Sequence, residues 1–189
     1  MAKFIVLYGI NNIGKTTQCQ NILKYLKDKK LKARYFKTPN YSLKSGREIN
    51  KILRSKKQTI SEAEFQKLYT ENRFEQQPMI LKALKNNINV IMEDYVGTSL
   101  AWGNVKGLSM NFLKNINKGL LKEDIGILLD GKRFISGKEK NHLHEKDDRL
   151  IQKVRKRHLE LAKEYNWHIV NANQSKEKVF NDIKKIIPL

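Results

Sequence analysis

The chain is poor in cysteine, in proline and in acid, and it has no long apolar run. Cys19 is the only cysteine among 189 residues. That excludes an internal disulfide and fits a reducing compartment such as the cytoplasm. Cys19 itself reads as a small core residue rather than a reactive thiol. No apolar stretch approaches the roughly 20 residues of a membrane span. The chain enters its first strand at once, so neither a signal peptide nor a membrane segment is expected. Acids are outnumbered, 19 Asp and Glu against 38 Lys and Arg, leaving a net charge of +19. The excess lies in short clusters such as Lys27-Asp28-Lys29-Lys30 and Lys153-Val154-Arg155-Lys156-Arg157. Such runs read as solvated helix faces rather than a nucleic-acid interface. The general field still raises the on-rate of anionic nucleotides. His142, His144, His158 and His168 show no ligand spacing with cysteine and read as surface or helix-face residues. No paired nucleophile and base is visible.

Against these absences stands Gly9-Ile10-Asn11-Asn12-Ile13-Gly14-Lys15-Thr16-Thr17, directly behind the apolar run Phe4-Ile5-Val6-Leu7-Tyr8. It matches the phosphate-binding pattern G-x-x-x-x-G-K-[ST] in full. The apolar run reads as a buried strand. Apolar residues Cys19, Ile22, Leu23 and Leu26 then recur at helical spacing. Strand, glycine loop and helix in that order converge several backbone N–H groups and a helix N-terminus on one point, which attracts phosphate. Gly9, Asn11, Asn12, Ile13, Gly14, Lys15, Thr16 and Thr17 are therefore the expected ATP cradle. Lys15 is expected on the β and γ phosphates and Thr16 on Mg²⁺.

Strand and helix signals alternate along the rest. Strands are expected at Leu31 to Phe36, Ile88 to Met92, Ile125 to Leu129 and Trp167 to Val170. Helices are expected at Gly46 to Leu53, Leu143 to Tyr165 and Lys176 to Ile187. Ser61-Glu62-Ala63-Glu64 is a capping box opening a helix that should break or kink at Pro78. The alternation implies an α/β fold: a single three-layer domain over residues 1–189, its five-stranded parallel sheet covered by helices on both faces. Ligands then gather at the carboxyl ends of the strands. Those ends carry Lys37 to Ser42, Glu93-Asp94-Tyr95 and Asp130 to Arg133. Acids and cations together suit a magnesium nucleotide beside a second anionic substrate. Glu93 or Asp94 is the natural magnesium ligand; the plainer reading is that they cap the next turn. A basic segment at about 131–146, with Lys132, Arg133, Lys138 and Lys140, reads as a lid over the phosphates or as a solvated loop.

Four segments, in order, resemble the thymidylate kinases within the nucleoside-monophosphate kinases. They are the phosphate loop, Thr38-Pro39-Asn40-Tyr41-Ser42 with Gly46, Leu68-Tyr69-Thr70-Glu71-Asn72-Arg73, and Glu93-Asp94-Tyr95-Val96-Gly97-Thr98-Ser99-Leu100-Ala101-Trp102. The resemblance implies transfer of the ATP γ-phosphate to a deoxynucleoside monophosphate, dTMP first, by a homodimeric enzyme. It implies that Tyr69 stacks on the base, Arg73 hydrogen-bonds it and Ser99 lies near its polar edge. Trp102 would sense the sugar 2′ position and Tyr41 would contact the acceptor phosphate. It also implies a catalytic set of Lys15, Glu93 and cations of the basic segment, Arg133 and Lys138 among them.

The chain departs from the family pattern at four positions, one of them Gly103, which follows Trp102 where glutamine is frequent. Asp94 replaces an arginine that holds the acceptor phosphate, Asn72 replaces an aspartate, and Asn11 replaces an acid. Two like charges about 5 Å apart at an effective dielectric near 20 repel by about 3 kcal/mol. Asp94 is therefore expected to turn away, or Lys37 or Arg47 to supply the missing cation. Three alternatives stay open: a kinase for another nucleotide or a nucleoside, an ATP-binding module without turnover, and a nucleic-acid-dependent ATPase.

Overall fold

A computed structural model describes residues 1–55, 59–134 and 148–187. Five strands form one parallel sheet: β1 (Phe4–Tyr8), β2 (Ala33–Lys37), β3 (Asn89–Glu93), β4 (Ile125–Asp130) and β5 (His168–Asn171), in the order β2-β3-β1-β4-β5. Among the described residues seven helices connect and cover them: α1 (Lys15–Asp28), α2 (Lys44–Arg54), α3 (Glu62–Lys85), α4 (Val96–Val105), α5 (Met110–Ile116), α6 (Asp148–Glu164) and α7 (Lys176–Ile186). β1 is central and buried at every residue, as a strand covered on both faces should be. In register, Leu7 pairs with Glu93 and Tyr8 with Leu128. Beyond β1 the chain heads for one edge of the sheet, beyond β3 for the other. Between these neighbours the crevice for a ligand opens.

The five strands lie where the apolar runs placed them, each within two residues at either end. The helix expected to stop at Pro78 runs on to Lys85. Pro78 removes one helical N–H, but Ile80 and Ala83 one turn further are buried against the sheet, and that burial carries the helix through. Ser61 caps the same helix as expected: its hydroxyl accepts from the Glu64 N–H, and Glu64 accepts from the Ser61 N–H at 2.9 Å. α4 and α5 were not anticipated. α4 is apolar nearly all round, so it lacks the stripe that marks a surface helix.

Trp167 locks the β4 side of the core. Its ring stacks on Tyr8 with centroids 4.0 Å apart, and its Nε1 donates to Glu123 at 3.0 Å. It lies against two glycines: a Cβ on Gly97 would come within 2.2 Å of the indole, and so would one on Gly126. His158, expected at a surface or on a helix face, lies on the buried face of α6 with Val154 and Leu161. Its Nδ1 contacts the Val154 carbonyl at 3.1 Å, and Nε2 has no hydrogen-bond partner among the described residues. Burial first, then the positive charge of Lys15, pushes its pKa down to about 3.

Two measurements check this packing. Gly126→Ala should lower stability by about 1–3 kcal/mol in chemical denaturation, because the indole has nowhere to move. For His158, the unfolded chain takes up a proton below about pH 6.5 while the folded chain stays neutral. Stability present above that pH is therefore lost as pH falls toward 3, by about 1.4 kcal/mol per unit. His158→Leu should remove that slope from the unfolding free energy between pH 6 and 5.

Candidate active site

The phosphate loop leaves β1 at Gly9 and turns into α1 at Gly14. Gly14 is the N-cap of α1 at φ 95°, a left-handed conformation that favours glycine. A Cβ on Gly9 would lie 2.7 Å from the Leu129 carbonyl oxygen. The first turn of α1 contains no acid, so its N–H groups and dipole face an anion unopposed. Lys15 is buried and curls over the loop, donating to the carbonyls of Gly9 at 2.9 Å and Ile10 at 3.0 Å.

The carboxyl end of β3 meets this loop. Glu93 is buried, and its two oxygens take three partners: Thr16 Oγ1 at 3.0 Å, Lys37 Nζ at 3.0 Å and the Tyr35 hydroxyl at 2.6 Å. Burial would raise the Glu93 carboxyl, but Lys37, Lys15 and the Tyr35 hydroxyl outweigh it and hold it below its usual range. Asp94 has φ 58° and follows the opposite course. Burial pushes its carboxyl up, Glu93 adds to the rise, and Lys15 opposes it. Asp94 Oδ2 lies 3.4 Å from Lys15 Nζ, and Thr98 donates to Oδ1 at 2.7 Å. Asp94 thus lines the cavity as a counter-ion of Lys15. Of the two cations proposed to replace the missing arginine, Lys37 lines the cavity. Arg47 does not, and donates instead to the Ser42 carbonyl at 2.7 Å.

One cavity of about 820 Å³ opens onto both halves of the site. Asn11 to Thr17 line it, together with Tyr41, Tyr69, Arg73, Ser99 and Trp102 and the acids Glu93 and Asp94. The volume falls in the range typical of ligand sites. Arg73 is almost fully buried and donates to Asn117 Oδ1 at 2.9 Å, while its Nε has no partner among the described residues. Burial pushes its pKa down to about 10, so the guanidinium stays charged at neutral pH. Tyr69 packs on Phe65 with centroids 4.9 Å apart. Ser99 donates to Gln66 Oε1 at 2.5 Å. Tyr41 sits on an exposed loop.

Asn72 anchors that loop. Its Oδ1 accepts from the Asn40 N–H at 2.8 Å, and its Nδ2 donates to Ser45 Oγ at 2.9 Å. The amide both accepts and donates, which a carboxylate in its place could not do. Gly46 lets α2 approach the same loop, since a Cβ there would fall 1.8 Å from the Asn40 oxygen. Of the cations expected from the basic segment, Arg133 pairs with Asp148 and is not among the cavity residues. Lys138 lies outside the described residues. Phe134 donates its N–H to the Asn12 carbonyl at 2.9 Å, so the end of the segment that is described abuts the phosphate loop. Among the described residues no three His, Cys, Asp or Glu side chains cluster as a metal site, and no helix is long and apolar enough to cross a membrane.

Reasoning from sequence missed Gln66, Tyr35 and Asn117. Gln66 was within reach, because positions 66, 69 and 73 share one face of α3. The other two carried no signal: their partners are 58 and 44 residues away in sequence.

Comparisons with known proteins agree with this geometry. The family model described as thymidylate kinase matches residues 7–183. A protein of Methanocaldococcus jannaschii named "Probable thymidylate kinase" is 35% identical over 183 residues, covering 95% of this chain and 93% of its own. The thymidylate kinase of Danio rerio is 28% identical over 187 residues, covering 96% and 88%. The solved thymidylate kinase of Candida albicans superposes with a TM-score of 0.85 at 23% identity, over 98% of this chain and 91% of that one, which bears on the fold. With the family matched across nearly its whole length, this chain belongs to the thymidylate kinase family.

Proposed function

We propose that the protein transfers the γ-phosphoryl group of ATP to the phosphate of dTMP, giving ADP and dTDP. The observation that supports this is the shared cavity: the phosphate loop, an aromatic ring, a guanidinium and the acids Glu93 and Asp94 all line one space. Phosphoryl transfer asks for little covalent chemistry. It needs two substrates in line and positive charge spread over the moving group.

The chain's own groups divide this work. The loop from Gly9 to Thr17 holds the donor phosphates through backbone N–H groups, and Lys15 leaves its carbonyl partners to spread charge over the β and γ oxygens. Tyr69 stacks on the base, Arg73 and Ser99 read its polar edge, and Trp102 closes the sugar side. Tyr41 and Lys37 supply the acceptor phosphate with a hydroxyl and a cation that Asp94 cannot. Arg133 and Lys138 are the remaining cations proposed to act on the transferring group.

Thr16 Oγ1 and Glu93 Oε1 lie 3.0 Å apart, and these two hard oxygens would hold a magnesium ion beside the nucleotide phosphates. When bound there, the ion neutralises charge on the phosphate oxygens. Assembly as a homodimer rests on the family resemblance.

An acceptor panel scored by ADP formation tests the reading. Turnover with dTMP should exceed that with any purine monophosphate, and Lys15→Ala should lower kcat by at least about a hundredfold. ATP binding with no ADP formed from any monophosphate would select the non-catalytic module instead. Tyr69→Ala should raise the KM for dTMP about tenfold or more, the usual loss for one base–aromatic stack, and leave the KM for ATP within about twofold.

A further inference from the structure

The acceptor end of the cavity contains a polar chain that phosphate transfer does not use. Ser99 Oγ donates to Gln66 Oε1 at 2.5 Å. Gln66 Nε2 donates to Glu62 Oε1 at 2.8 Å, one turn back on α3. Lys106, just past α4, pairs with Glu62 Oε2 at 2.9 Å. Ser99 and Gln66 are buried, the Glu62 and Lys106 side chains are 14% and 15% exposed, and all four line the cavity.

The chain has a direction. A carboxylate paired with an ammonium accepts hydrogen bonds and donates none. The Gln66 amide must therefore turn its NH₂ toward Glu62, because its carbonyl there would set acceptor against acceptor. Its carbonyl then faces Ser99. An amide oxygen also only accepts, so Ser99 commits its single proton to it. What Ser99 has left to offer the cavity is a lone pair.

We infer that Lys106, Glu62 and Gln66 make Ser99 an obligate hydrogen-bond acceptor, which selects an acceptor base with a ring N–H where it meets Ser99. A 4-oxo pyrimidine carries that N–H at N3. Cytosine carries a lone pair there, and two lone pairs facing each other in a buried site leave both unpaired. Arg73, a donor through all its nitrogens, supplies the opposite polarity for the adjacent carbonyl. Gln66 is thus a positioning residue, acting on the base through Ser99. The inference rests on the placement of the base among Tyr69, Arg73 and Ser99 given above.

The test is kcat/KM for dTMP and for dCMP at saturating ATP, in the unaltered protein, in Gln66→Met and in Glu62→Gln. Gln66→Met removes the amide at similar volume and frees the Ser99 proton to donate. Glu62→Gln keeps the shape of the relay and removes its polarity, so Gln66 can turn over; should Gln66→Met fail to fold, this variant decides alone. In both, the dTMP to dCMP ratio should fall at least about tenfold, mainly through a gain with dCMP. A purely structural role would weaken both substrates by the same factor and leave the ratio unchanged, which overturns the inference. Equal use of both bases by the unaltered protein also overturns it while leaving the kinase assignment intact. No turnover of either monophosphate ends the assignment, and the inference with it.

Discussion

The Glu93 carboxylate is the joint at which the site is assembled. Two elements that are remote in sequence reach it at once with three side chains: the first turn of α1 through Thr16, and β2 through both Tyr35 and Lys37. A buried carboxylate is stable when its oxygens are satisfied and strongly destabilising when a partner is lost. The requirement therefore fixes how far the phosphate loop, the end of β2 and the end of β3 stand from one another. The loop from Thr38 to Ser42 springs from the same β2 end, so its position is inherited from this carboxylate.

Asp94, one residue along, experiences a different field. Lys15 and Lys37 stand against Glu93 and Asp94, two cations and two anions. Lys37 pairs with Glu93 and Lys15 with Asp94, whose carboxyl is pushed up by burial. The Lys15 ammonium rests on the loop carbonyls and beside the Asp94 carboxylate. A phosphate bound as proposed would take over these contacts. Preorganisation of this kind is where phosphoryl-transfer sites gain most of their effect.

Local pattern gave the five strands, the phosphate loop and the capping box, because each is written in consecutive residues. Apolar runs place strands, glycine spacing places the loop, and Ser61 with Glu64 place a helix start. What escaped depended on residues that meet only in the fold. Pro78 looks like a terminus until the burial of Ile80 and Ala83 is known. His158 looks exposed on a basic helix until that helix is laid on the sheet. Asp94 looked hostile to the site because its counter-ion, Lys15, is 79 positions earlier. Tyr41, Tyr69, Arg73, Ser99 and Trp102 were named from family likeness, and the fold sets them around one cavity. The hydrogen-bond polarity of Ser99 depends on Gln66, 33 positions away, and could be read only from contacts.

Trp167 and the two glycines it fills carry a consequence for how such a chain can drift. The indole occupies space that Gly97 on α4 and Gly126 on β4 both leave vacant. An alanine at either position costs stability while tryptophan is present, and a smaller ring would open a void beside Tyr8. The three positions are thus coupled through one volume. Paths through sequence space that change them one at a time cross a barrier, whereas a coordinated exchange of bulk from residue 167 to residues 97 and 126 need not.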